Sequence, residues 1–191
     1  MLPLERASRL RKEADAVLEM IGFYDILRPY GKVFPNGSYF LDVMVYPDID
    51  LYITKVTLDQ LFAIGAQIAR SELVIQVLIS KVDDPALLPG GLYLKPRIQY
   101  GDWGRPWKID IWSLSEEVIQ GKMADMYHFQ SKLTPELRQA IIRYKLSILT
   151  PEKRTPMYSG YYIYKAFIDE GLADYASVTS YLISQGIQVG G

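Results

Sequence analysis

Three short stretches hold residues whose types and spacing could do chemistry: Gly37-Ser38, Asp48-Ile49-Asp50 and Ile109-Asp110-Ile111. Side chains alternate along a strand, so carboxylates at i and i+2 point to one face. Asp48 and Asp50 therefore share a direction if their stretch is extended. Asp110, centred in an apolar–Asp–apolar triplet, can converge on them from another strand. Three carboxylates aimed at one point repel each other unless a cation lies between them, which predicts a divalent metal. Gly37-Ser38 offers backbone N–H groups to an anion, because glycine lets the main chain approach closely. A metal beside an anion cradle is what phosphoryl or nucleotidyl transfer requires.

The surrounding pattern supplies elements to position these groups. Residues 4 to about 22 read as an amphipathic helix, with Leu10, Ala14, Val17, Leu18 and Ile21 on one face and Gly22 as a stop. Residues 23–30 add a short helical or extended piece. Residues 32–36 read as a short strand ending in the Gly37-Ser38 turn, and 39–45 as a helical turn or a reversing loop. In the strand that follows, Ile49, Leu51 and Ile53 share one face and Asp48, Asp50 and Tyr52 the other. Thr57 is an N-cap for a helix over 58–70. The apolar run at 73–81 suits a buried strand. Asp83-Asp84-Pro85 and Pro89-Gly90-Gly91 mark loops, with Asp83 and Asp84, like Asp25 and Asp59, reading as loop and helix-end charges.

Residues 91–100 and 107–114 read as strands joined by a hairpin-like connection, with Lys108, Asp110 and Trp112 on one side of the second. Helices follow, opened by Ser115, by Thr134-Pro135 and near Tyr158, and a last one over 174–185. The expected organisation is an α/β unit over 1–114, including the N-terminal helix, and a helical region over 115–191.

Bulk properties exclude several classes. Hydrophobic residues make up 49% and aromatics 13%, enough for a sizeable core. Lysine and arginine total 21 against 22 acidic residues, so the chain lacks the basic excess of a general nucleic-acid coat. The absence of cysteine excludes disulfides and thiolate metal sites, and a lone His128 excludes a histidine-based zinc site. His128 has no acidic or serine partner at a telling spacing, so Ser-His-Asp hydrolysis is not supported. No signal peptide or membrane span is legible, and the expected location is cytoplasmic.

With these residues in place, the chain resembles the nucleotidyltransferase (polymerase-β-like) superfamily. The pattern is a hydrophobic strand ending in Gly-Ser or Gly-Gly, an Asp-h-Asp strand, and a later h-Asp-h strand, where h is hydrophobic. Here these are residues 34–38, Asp48-Ile49-Asp50 and Ile109-Asp110-Ile111. The resemblance implies an α+β fold: a mixed β-sheet flanked by helices, with a helical C-terminal region. It also implies two Mg²⁺ ions, and attack of an acceptor hydroxyl on the α-phosphate of a nucleoside triphosphate with release of pyrophosphate. Asp48 and Asp50 would hold both metals, and Asp110 the one that activates the hydroxyl. Gly37 and Ser38 would contact the β- and γ-phosphates. By analogy with helices from the second half of related enzymes, Ser159, Tyr161 and Lys165 could reach the triphosphate; a tyrosine-rich packing surface with its hydroxyls at the solvent boundary is the alternative. Small members often place a further glycine four residues after the serine, where this chain has Asp42.

Other assignments come from position alone. Lys95, Arg97, Arg105 and Lys108 bracket the Asp110 hairpin, and Arg97 and Lys108, set within strands, are the expected nucleotide contacts. Solvated basic residues on a hairpin are the alternative for each. Trp103, Trp107 and Trp112 could stack on a base or fill the core. Asp42 reads as the cap or terminator of the turn after Ser38, with a site residue near the phosphates as the alternative. The near-neutral charge favours a small molecule or protein as acceptor over a long nucleic acid, with no membrane partner. A catalytically silent nucleotidyltransferase-fold module for nucleotide binding or interaction is the alternative function. A purely structural interaction protein is a third.

Overall fold

A computed structural model of the chain describes residues 1–84 and 88–189. The sequence opens with α1 (Pro3–Ile21), whose inward stripe is the expected Leu10, Ala14, Val17, Leu18 and Ile21. Gly22, at φ 70°, ends it in the left-handed conformation that favours glycine. α2 (Phe23–Leu27) follows, then β1 (Val33–Asn36), the single turn α3 (Gly37–Phe40) and β2 (Asp48–Thr54). Thr57 caps α4 (Leu58–Ile68) through Gln60 N–H, and the Gln60 side chain returns the bond to Thr57 N–H.

β3 (Val74–Asp84), β4 (Leu88–Ile98) and β5 (Trp107–Leu114) complete one five-stranded sheet in the order β1-β2-β5-β4-β3. β2 and β5 run parallel; the other neighbours are antiparallel. The helices α5 (Glu116–Lys132), α6 (Pro135–Ser147), α7 (Ser159–Ile168) and α8 (Tyr175–Ser184) follow. The Ser115, Thr134 and Asp174 side chains cap α5, α6 and α8, as their residue types dictate. The fold is α+β with a mixed sheet.

Alternation on the central strands divides the protein into two apolar clusters. Ile49, Leu51 and Ile53 of β2 and Trp107, Ile109 and Ile111 of β5 face α1, α2 and α4. The opposite face carries Asp48, Asp50, Tyr52, Asp110 and Trp112. Its apolar members pack with Ile119, Phe129, Ile141, Tyr144, Ile163 and Phe167 of the C-terminal helices. α1 also packs against α6, which ties the N-terminal helix to the helical region.

Two expectations fail in the same hairpin. The run 73–81 is not a buried strand: β3 is the sheet's edge, with Ile75 56% exposed and Gln76 in solvent. Its apolar content serves one face, where Val77 and Ile79 pack around Gly65 of α4. Asp83-Asp84 and Pro89-Gly90-Gly91 are not loops either, since their backbones extend β3 and β4. Pro85 lies outside the described residues.

Candidate functional site

Strand register turns the acidic face of the sheet into rows. On the parallel pair, Asp50 is level with Asp110 and Asp48 with Lys108. Asn36 of β1 extends the Asp50 row, and Arg97 of β4 the Lys108 row. The period-2 pattern thus delivers three carboxylates from two strands to one patch, beneath α3 and the C-terminal helices. Asp48 is 7% exposed and Asp110 9%.

Lys108 neutralises part of this charge. Its Nζ lies 2.7 Å from Asp110 Oδ2, donating a hydrogen bond, and 3.1 Å from Asp48 Oδ1. The Tyr93 hydroxyl donates to Asp110 Oδ1 at 2.5 Å. Burial pushes the Asp48 carboxyl up to about 6; Asp110 adds to this, and Lys108 opposes it. Burial, then the charges of Asp48 and Asp110, holds Asp50 well above the usual carboxylate range. Burial alone would lower the Lys108 ammonium, but Asp48 and Asp110 outweigh it and raise its pKa.

The Gly37-Ser38 pair forms the first turn of α3 and abuts Asp50. Gly37 has φ 59°, and a Cβ there would lie 2.6 Å from Asp50 Oδ2. Glycine is therefore required twice, by conformation and by space. The chain leaves this turn through Asp42, at φ 53°, held by Arg138 through its carboxylate and its carbonyl, each at 2.8 Å. Asp42 adopts the left-handed conformation at the position where small nucleotidyltransferases often carry glycine.

Two residues behind this turn were not singled out from the sequence. Tyr164 is buried on α7, which packs against α3. Lys145, only 1% exposed, donates to the Val43 carbonyl at 2.8 Å. Burial depresses its pKa to about 8, against the pull of Asp48 and Asp50. Its signal was available: Lys145 lies four residues after Ile141 and three after Ile142, so it sits on the apolar face of a helix.

The remaining expected contacts divide. Ser159 is buried at the start of α7 and donates to the Pro156 carbonyl. Tyr161 and Lys165 lie on the helix's outer side, where Tyr161 packs edge-on against Phe129 and Lys165 pairs with Asp169 at 3.3 Å. Asp169 also meets His128 at 2.7 Å, an acidic partner 41 residues away that no local spacing reveals. Trp107 is core. Trp103 donates to Glu13 beneath Arg6 and Arg9, and Trp112 stacks on Tyr93. Arg97 faces the open half of the sheet, on the far side of Lys108 from Asp48. Arg105 donates to the Glu152 and Lys153 carbonyls.

Among the described residues, no three carboxylate or histidine side chains are grouped to hold a metal ion, and the Lys108 ammonium contacts both Asp48 and Asp110. The donor set nevertheless fits one. Its ligands are hard carboxylate oxygens, and Asp48 Oδ1 is buried with only the ionic contact of Lys108 Nζ at 3.1 Å and no hydrogen bond of good geometry.

The Cid1 poly(U) polymerase, solved with MgGTP bound, superposes at TM-score 0.51 with 16% identity, over 80% of this chain and 48% of that one. The chain has the nucleotidyltransferase fold. A cytoplasmic RNA terminal U-transferase gives TM-score 0.51 and 15% identity over 79% of this chain and 46% of that one. The non-canonical poly(A) polymerase GLD-2, in complex with GLD-3, gives 0.51 and 14%, over 92% and 61%. The chain thus spans about half the length of the first two and three-fifths of the third. Neither a protein-family model nor a curated protein matches the sequence. Among the described residues, no helix is long and apolar enough to cross a membrane.

Proposed function

We propose that the protein is a metal-dependent nucleotidyltransferase that moves a nucleoside monophosphate from a nucleoside triphosphate to an acceptor hydroxyl. The observation that carries this reading is the level pairing of Asp50 with Asp110 next to the Gly37 turn. It sets an acidic cluster beside an anion cradle on a fold shared with terminal nucleotidyl polymerases.

Asp48, Asp50 and Asp110 would hold Mg²⁺, two ions in the full arrangement, once the Lys108 ammonium turns from the carboxylates towards phosphate. Bound metal supplies a lowered pKa for the attacking hydroxyl and charge neutralisation at the leaving group. Gly37 and Ser38 give main-chain and hydroxyl contacts to the β- and γ-phosphates, and Ser159 closes that side. Lys145 places a buried positive charge behind the same turn. The acceptor oxygen forms a bond to the α-phosphorus as the bond to pyrophosphate breaks, and the hydroxyl proton passes to the carboxylate cluster.

A catalytically silent module is the second reading. Lys108 favours it by occupying the space between two of the three carboxylates. Incubation with each α-phosphate-labelled nucleoside triphosphate, Mg²⁺ and a panel of nucleotide, protein and polyol acceptors separates the two. Transferred label with equal pyrophosphate release, lost in Asp110→Asn, supports the enzyme. Nucleotide binding without pyrophosphate release across the panel supports the module.

A further inference from the structure

The rows of the site face continue past Asp110 onto β4 and β3. Arg97 pairs with Gln76, Lys95 with Leu78, and Tyr93 with Ser80. The register that sets Leu94 level with Ile111 and Arg97 level with Lys108 carries Lys95 to the place across from Asp110. α3 lies over β1 and β2, and α5 over β2, whereas Gln76 is exposed and Leu78, Ser80, Tyr93, Lys95 and Arg97 are all partly exposed. The acidic cluster therefore opens on one side onto bare sheet.

That bare strip has a definite chemistry. Among the described residues, neither Lys95 nor Arg97 has a carboxylate within salt-bridge distance, although three carboxylates lie one or two strands away. Arg97 Nε is buried with no hydrogen-bond partner. The Tyr93 ring stacks on Trp112 with centroids 4.2 Å apart, and Lys95 Nζ lies 5.7 Å from its centre. The Tyr93 hydroxyl is bonded to Asp110 Oδ1, so whatever rests on this ring lies next to the carboxylate assigned to the acceptor hydroxyl.

We propose that the β3–β4 half of the sheet face, through Tyr93, Lys95 and Arg97, seats the acceptor, and that the acceptor is a phosphate-bearing nucleotide. The proposal rests on the nucleotidyltransferase reading for the role of Asp110. Unpaired cations suit phosphate, and an aromatic pair suits the flat face of a base. A cationic acceptor is disfavoured at Lys95 and Arg97, and a protein hydroxyl would leave the aromatic pair without a partner. The whole-chain charge of −1 hides this strip, because the surplus of cations is local. Arg97 then serves the acceptor and not the donor triphosphate.

The test measures binding of fluorescein-labelled single-stranded RNA and DNA oligonucleotides to the intact chain by polarisation, with unlabelled AMP as competitor. It compares the native chain with Lys95→Gln/Arg97→Gln, Asp50→Asn and a control, Lys12→Gln/Lys132→Gln, that removes two exposed lysines elsewhere. The site variant should weaken oligonucleotide binding at least tenfold. It should also flatten the slope of log affinity against log salt by about 1.4, for two contacts at about 0.7 each. The control should change affinity less than twofold. Oligonucleotide binding that AMP does not displace identifies a chain end as the acceptor, and displacement by AMP at comparable concentration identifies a free nucleotide; either supports the seat. Binding equal in the site variant and the native chain, or no binding of either probe, overturns it. Asp50→Asn separates the two readings: lost nucleoside triphosphate binding with retained oligonucleotide binding supports both. Oligonucleotide binding through Lys95 and Arg97 without any triphosphate binding leaves the seat standing and sinks the donor site.

Discussion

Asp50 and Asp110 stand level on the parallel strands β2 and β5, so the register holds two carboxylates side by side, Asp110 buried and Asp50 half-buried. Like charges so placed destabilise a protein unless a cation joins them. Lys108 supplies one positive charge, through Asp110 and Asp48, and Asp50 receives no direct partner from it. The site is thus short of cations in the protein alone, which is the physical basis for expecting metal.

Removing that repulsion should stabilise the metal-free protein. Asp50→Asn is expected to raise the thermal midpoint without Mg²⁺, by about 1–2 kcal/mol of stability, as functional sites commonly trade stability for activity. The same variant should lose the stabilisation that Mg²⁺ gives the native chain. Differential scanning fluorimetry with and without Mg²⁺ measures both effects.

The pH dependence has a fixed sign. Asp48 has a folded pKa raised from 3.8 to about 6, so the folded state binds the extra proton. Its cost is absent below about pH 4, grows as pH rises through about 6, and reaches at most about 3 kcal/mol. Denaturant titrations without metal should show native stability relative to Asp48→Asn falling between pH 4 and 6. Added Mg²⁺ should abolish the fall.

Gly37→Ala should be costly. The residue has φ 59°, and its Cβ would press on Asp50 Oδ2 at 2.6 Å. A loss of about 1–3 kcal/mol is expected from the backbone conformation and the contact together. Nucleotide affinity should also fall, since the turn is the phosphate cradle. Urea denaturation gives the first quantity and nucleotide titration the second.

Lys145→Met separates charge from packing. The native ammonium is buried and its pKa depressed to about 8, so its cost is full below that pH and is relieved as pH rises towards 10.5. The stability of the native chain relative to Lys145→Met should therefore improve from pH 8 to 10. At pH 7 the variant should remain folded and bind nucleoside triphosphate at least tenfold more weakly.

The central strands and the acidic trio were legible because period-2 alternation is short-range: Ile49, Leu51 and Ile53 face inward, and Asp48 and Asp50 opposite. Caps at Thr57, Ser115 and Thr134 were legible for the same reason. What depends on sheet order was not. β3 is apolar enough for a central strand yet lies at the edge, and the row from Asn36 to Arg97 exists only once register is fixed. On α7, Tyr161 and Lys165 share a face as their spacing requires, but that face turns outward, and Ser159 and Tyr164 face in. Lys145 carried its own signal, a charge among Ile141, Ile142 and Tyr144.

The most direct measurement is calorimetric titration of the native chain and Asp50→Asn with ATP, GTP, CTP and UTP, each with and without Mg²⁺. Binding of at least one triphosphate that requires Mg²⁺ and disappears in Asp50→Asn is the expected result. Failure of all four to bind, or binding indifferent to both Mg²⁺ and Asp50→Asn, would contradict a metal-dependent nucleotide site built on the level pair Asp50 and Asp110.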